Sequence, residues 1–171
     1  GVSGVLAEKS GAALELYNAA SLQTQEIVAA WNSATGAEES TIGEILADDE
    51  DTWEGLSAVV THSPALSARL RAFLVESEEL IPAAVAALGD GDLEALGRLA
   101  DRSQRNAHDN LGNQVPETIR MQALARDLGA QAASSFGAGF GGSVWALVPT
   151  ADADGFAVAW LERYSAEFPK V

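Results

Sequence analysis

Residues 134–148 read SSFGAGFGGSVWALV, a run of glycines set between two short apolar stretches. Gly137, Gly139 and Gly142 fit the spacing G-x-G-x-x-G, which serves phosphate chemistry where bare backbone N–H groups can close on an anion. A dinucleotide fingerprint needs a helix after the glycines, so that the pyrophosphate rests on its N-terminus. Here SVWALVP follows, β-branched, aromatic and closed by Pro149, so that helix is missing. The spacing of the protein-kinase glycine loop, G-x-G-x-x-G-x-V, is also met. That machinery requires a lysine on the next strand, an H-R-D loop and a D-F-G metal site, whereas the only downstream lysine is Lys170 and neither tripeptide occurs. A Walker A loop is excluded because G-K-[ST] is absent. Glycines that merely supply positive φ to a turn are the plainer alternative. GAGFGG holds more small positions than a short hairpin requires, so the loop is expected to meet a ligand.

Other chemistry-bearing residues form weaker patterns. The polar stretch SQRNAHDNLGNQ, 103–114, offers Asn110, Asn113 and Gln114, which either hydrogen-bond a sugar or line a cleft, or simply form turns. Glu76, Glu78 and Glu79 read as a solvated helix face rather than an acid–base pair. His62 and His108 have no histidine partner one helical turn away and the chain has no cysteine, so no metal site is expected. DADG at 152–155 matches part of a calcium loop only, because Thr150 and Leu161 would fall at ligand positions; it reads as a helix N-cap with an acidic first turn. DDED at 48–51 reads as an exposed loop, and no G-x-S-x-G elbow supports a serine nucleophile.

These residues must be positioned by the elements around them. Leu14, Tyr17, Ser21, Thr24, Val28 and Trp31 recur at helical spacing and predict an amphipathic helix over 11–32. A short helix capped by Ser40 or Thr41 is expected up to Ala47, within a stretch, 33–51, expected to be the most mobile. Ser63 and Pro64 start a long helix running to Leu88, with a kink or break expected at Pro82. GDGD ends it, Asp92 caps a third helix through Leu99, and NLGNQVPET is expected to connect to a fourth, opened by Pro116 and stopped by Gly129. AQAASSF and SVWALVP then predict two strands joined by the glycine loop, followed by a helix from about Asp152 with Phe156, Trp160, Tyr164 and Phe168 on one face. The fold class is α+β, with helices packed on a small antiparallel sheet. Two strands are too few to stand alone, so further strands are expected from residues 1–7 or from beyond Val171.

With 171 residues the chain can bury one substantial core. Twenty-five acidic against ten basic residues give a formal charge of −15, which opposes binding to nucleic acid and to anionic membrane surfaces. No signal-peptide pattern opens the chain, so a cytoplasmic location is the default.

The stretch SSFGAGFGGSVWALV resembles the third motif of the GHMP small-molecule kinases, with Phe140 leaning toward their galactokinase branch. SGVLAEKSGAALELYN (3–18), ESEELIPAAVAALGDGDLEALGRLADRSQ (76–104) and GNQVPETIRMQALARDLGA (112–130) are similar in order and spacing, so the resemblance spans most of the chain. It implies a ferredoxin-like C-terminal arrangement, with residues 1–171 corresponding to the C-terminal domain alone. In this family an N-terminal domain carries the serine-rich phosphate loop, the magnesium ligands and the acidic catalytic residue, and no such loop occurs here. The resemblance therefore implies ATP and Mg2+ for a longer kinase, with none bound and no catalytic residue supplied by this chain alone. It implies an active-site loop of Gly137, Gly139, Phe140, Gly141, Gly142 and Ser143, and a sugar contact at Tyr17, with Asn110 and Asn113 as further sugar-binding candidates; Tyr17 also suits a core-facing helix position. The chain departs from the galactokinase pattern in AASLQ after Tyr17, in Ser103-Gln104 where Ser-His is usual, and in Leu111-Gly112 where Tyr-Glu is usual. Three functions stay open on this reading: a sugar kinase, a non-catalytic sugar- or nucleotide-binding module, and a GHMP kinase for another small alcohol.

Overall fold

The computed structural model describes residues 1–6, 12–47 and 52–169, with side chains throughout except at 12–17. DDED at 48–51 lies outside the described residues. The helices are α1 (Ala12–Thr35), α2 (Ile42–Ala47), α3 (Thr52–Val60), α4 (Pro64–Leu74), α5 (Ile81–Asp90), α6 (Leu93–Asn106), α7 (Pro116–Asp127) and α8 (Ala153–Glu167). Strands β1 (Ala132–Phe136) and β2 (Ser143–Leu147) lie between α7 and α8. The architecture is α+β, helices on a small antiparallel sheet, as expected. No helix among the described residues is long and apolar enough to cross a membrane.

Local chemistry sets the boundaries. Ser63 Oγ accepts the Leu66 N–H at 3.4 Å with Pro64 in the first turn of α4, and Asp92 Oδ1 accepts the Ala95 N–H at 2.8 Å to open α6. At α2, Thr41 Oγ1 accepts the Glu44 N–H while the Glu44 carboxylate accepts the N–H groups of Ser40 and Thr41, a reciprocal cap. At α8 the expected cap is not made. Asp152 closes a 3₁₀ turn, Thr150–Asp152, and its side chain accepts no capping bond.

Three expectations are corrected. The segment TWEGLSAVV forms α3, an element the sequence reading lacked; Leu56 and Val60 bury it against α1 and α4. Of the kink or break expected at Pro82, the break is absent: the helical run continues through the proline. A π turn, Val75–Leu80, joins α4 to α5, and the Ile81 N–H reaches the Glu76 carbonyl one residue farther than in an α-helix. The wider turn accommodates the proline ring and its missing donor. The polar stretch 103–114, expected as a loop, is largely helical: α6 runs to Asn106 and continues as a second π turn, Ala107–Leu111, ended by Gly112 at φ 66°.

Two apolar clusters result. Ile27, Ile45, Leu56, Val60 and Leu70 join α1 to α4, while Met121, Leu124, Val144, Trp160 and Tyr164 pack α7 and α8 under the sheet. The strands pair antiparallel with Phe136 opposite Ser143 and Ala132 opposite Leu147. Both outer edges are occupied. Along β2, Gly1 and Val144 exchange main-chain bonds at 2.8 and 2.9 Å, Val2 bridges Ser143, and the Ser3 N–H reaches Gly142 O at 2.8 Å. Residues 1–3 thus pair with β2 by an isolated bridge and flanking bonds, not as the further strand expected from 1–7. Along β1 side chains take the place of a strand. Gln104 Oε1 accepts the Ser135 N–H at 2.8 Å, Gln122 Nε2 donates to Ala133 O at 3.2 Å, and Arg126 donates to Gln131 O. Gly97 lets α6 approach this edge, because a Cβ there would lie 2.0 Å from Gln131 O.

Candidate functional site

The loop from Gly137 to Gly142 has positive φ at Gly137 (85°), Gly139 (91°), Phe140 (58°), Gly141 (120°) and Gly142 (84°). Phe140 is the only non-glycine residue among those described with this conformation, at a cost of about 1–2 kcal/mol. Such a run persists only where the surroundings over-determine it. From one side Asn113 does so: its main-chain O accepts the Phe140 N–H at 2.6 Å and its Nδ2 donates to Ala138 O at 3.0 Å. From the other side Val5 O accepts the Gly142 N–H at 2.9 Å.

The glycines differ in what they permit. A Cβ on Gly139 would lie 2.2 Å from Asn113 O, and one on Gly141 would lie 2.7 Å from Val5 O. Those two let the protein's own backbone approach, a reason that the expectation of a ligand-lined loop did not include. Nothing lies within 4 Å of a Cβ on Gly137, which is exposed.

A chain of side-chain amides carries the position of the sheet into the loop. Gln104, 5% exposed, accepts from Ser134 Oγ and the Ser135 N–H, and donates to Gln114 Oε1 at 2.9 Å. Gln114 Nε2 donates to Asn113 Oδ1 at 2.9 Å, and Thr118 Oγ1 donates to Gln114 Oε1 at 3.1 Å. Every hydrogen-bonding atom in this relay has a partner, which fixes the side chains without leaving a buried polar group unpaired.

Gly137 borders a cavity of about 300 Å³ between the α4 helix with its π turn, α6 with its π turn, and the end of β1. Asn106, Asn113, Gln114, Ser134 and Ser135 line it. A larger hollow of about 1120 Å³, flanked by Trp53, Leu70 and Leu74, contains none of the sequence-predicted site residues.

The loop residues and Asn113 are thus brought together, and Ser143 starts β2 opposite Phe136. Asn110 lies on the second π turn, where its Nδ2 donates to Asn106 Oδ1 at 2.8 Å. Tyr17 belongs to α1, but its side chain lies outside the described residues. Glu76 departs from the solvated face expected of it. Both its oxygens accept from Ser103 Oγ, at 2.9 and 3.1 Å, whereas Glu79 pairs with Arg102 at the surface. The sequence reading missed Gln104 and Val5 as supports of the loop; the glutamine's position on the apolar face of α6 was the available signal. Among the described residues no group of three or more His, Asp or Glu side chains could hold a metal ion.

Comparison with known proteins gives this site a family. Residues 83–166 match the model described as GHMP kinases C terminal. A galactokinase of Enterococcus faecalis is 35% identical over 117 residues, 68% of this chain and 30% of the relative. One of Thermococcus kodakarensis is 32% identical over 106 residues, 62% of this chain and 30% of the relative. The crystal structure of Lactococcus lactis galactokinase complexed with galactose superposes with a TM-score of 0.79 at 21% identity, over 98% of this chain and 41% of that one. The chain thus spans about 30% of the length of the curated relatives it matches. A glycine loop strung between two antiparallel strands, on the scaffold these comparisons share, belongs to a galactokinase-like member of the GHMP kinase C-terminal family.

Proposed function

We propose that this chain is the C-terminal domain of an ATP-dependent sugar kinase, galactose being the leading acceptor. The observation that carries the reading is the loop of five positive-φ residues clamped between Asn113 and Val5, in a chain related to galactokinases. In the reaction a sugar hydroxyl attacks the γ-phosphorus, the bond to the β–γ bridging oxygen breaks, ADP leaves, and the hydroxyl proton passes to a base. Catalysis of this kind is positioning and charge stabilisation. Gly137, Gly139, Phe140, Gly141, Gly142 and Ser143 form the wall of the cleft on this side, Asn113 holds that wall, and Tyr17 and Asn110 stand on the sugar side. Mg2+, when bound, neutralises phosphate charge. The residues described here do not fit it, and on the family resemblance its ligands and the base are assigned to an N-terminal GHMP domain, with no turnover expected from this chain alone. A cytoplasmic location belongs to the same reading.

A second reading is a binding module without turnover. It is favoured by Gln104, whose amide is committed to β1 and Gln114 at a position where the galactokinase pattern has histidine. A kinase for another small alcohol is the third. An ADP-release assay of the full-length parent across a panel of sugars separates them: turnover with galactose establishes the first, and silence across sugars and other small alcohols sinks both kinase readings.

A further inference from the structure

The two π turns face the same cavity. Glu76 and Ser77 enter it from the first, Ala107 and Leu111 from the second, and Gly137 closes one end. π turns inside α-helices are uncommon and occur frequently at functional positions. Two of them bordering one hollow of about 300 Å³ call for an occupant.

Arg69 lines the same space, two turns before Glu76 on α4. Its Nε donates to Ala20 O at 3.1 Å, and no carboxylate among the described residues pairs with the guanidinium. Burial lowers its pKa, with no neighbouring acid to offset the effect. A half-buried cation without counter-charge is costly, and the planar donor fork of arginine matches phosphate. Glu76 is not the missing partner, because its oxygens are taken by Ser103 Oγ and, at 3.5 Å, by Asn106 Nδ2. That carboxylate can still accept from a hydroxyl, Ser77 and Ser135 offer hydroxyls of both capacities, and Phe73 supplies an apolar flank. The cavity sits at the small end of the range for small-molecule sites, about 300–1,000 Å³, which limits the occupant to a single ring.

We propose that this cavity binds a sugar monophosphate, its phosphate on Arg69 and its hydroxyls on Glu76, Ser77 and Ser135. The cavity shares Gly137 and Asn113 with the glycine loop and its support, but the groups proposed to hold the ligand, Arg69, Glu76, Ser77 and Ser135, lie outside that loop, and the proposal does not rest on the kinase reading.

The test is calorimetric titration of the 171-residue chain, without ATP, against a hexose 1-phosphate, the neutral hexose and inorganic phosphate. The expected result is one saturable site for the hexose 1-phosphate, tighter by about tenfold or more than either fragment, since a charge-assisted pair and a set of hydroxyl bonds each contribute. A hexose 1-phosphate that binds no tighter than the neutral hexose or than inorganic phosphate, or no saturable binding, overturns the proposal. Arg69→Met should reduce the affinity for the sugar phosphate to that for the neutral hexose, and Ala107→Leu should fill the cavity from the opposite wall and abolish binding. A folded variant of either kind that binds like the parent chain overturns it as well. If Arg69→Met does not fold, Ala107→Leu and the ligand comparison decide.

Discussion

Asn113 holds Phe140 in a left-handed conformation. Its carbonyl accepts the Phe140 N–H at 2.6 Å while its own side chain reaches Ala138 O, so one residue grips the loop on both sides of Gly139. The residue itself is only 6% exposed, whereas Ala138, whose carbonyl it holds, lies at the surface.

Asn113→Ala should lower stability by about 1–3 kcal/mol, through the loss of its two side-chain hydrogen bonds, to Ala138 O and from Gln114 Nε2. Denaturant unfolding measures it. An unchanged midpoint would mean that the loop holds its shape without this strut.

The glycines should separate by position. Gly139→Ala adds overlap with Asn113 O to the left-handed strain, and overpacking alone costs about 1–3 kcal/mol. Gly137→Ala meets nothing within 4 Å and pays only the strain of its φ, about 1–2 kcal/mol. Gly137→Ala should therefore be the more stable of the two variants, and under the proposed kinase function it should still lower the turnover rate. The reverse order of stability would contradict the packing described.

Gln104→Leu removes the acceptor that Ser134 and Ser135 share and the donor to Gln114. Amide hydrogen exchange should speed up at Ser135 and leave Val144 protected, since the latter bonds to Gly1 on the other edge. Uniform acceleration at both would show that the edge has no local role.

Tyr164 donates its hydroxyl to Ser3 O at 2.7 Å, and burial, then the nearby Glu117, raises its pKa above the ordinary tyrosine value. A phenol whose pKa is raised on folding contributes stability that is complete below its unfolded value, about 10, and is lost as pH rises through the folded one. Stability should therefore fall at alkaline pH, and Tyr164→Phe should remove that part of the fall. It should also cost about 1 kcal/mol at neutral pH, the worth of one hydrogen bond. Unfolding curves at neutral and alkaline pH test both.

Much of this arrangement was legible in the chain because local chemistry dictates it. Ser63-Pro64, Asp92 and Pro116 start helices where caps and fixed φ favour them, and the two strands follow from β-branched and aromatic runs around glycines. Residues 103–111 were not legible. A polar run reads as a loop, and only the tertiary structure shows that Gln104 and Asn106 point inward to carbonyls and amides of β1 and α4. The same holds for Glu76, whose inward turn depends on the π geometry that precedes Pro82. The glycines at 139 and 141 were found, but the atoms that require them lie far away in sequence, at Asn113 and Val5.

The side chains along β1 have one more effect. A strand whose outer main-chain groups stand open is a template on which a strand from another molecule can grow, and it is a starting point for aggregation. Here Gln104, Gln122 and Arg126 already hold the groups at Ser135, Ala133 and Gln131, on helices too bulky for another strand to displace without unpacking the core. A sheet of only two full strands is thus sealed against growth on the side where AASSF would otherwise recruit its own kind.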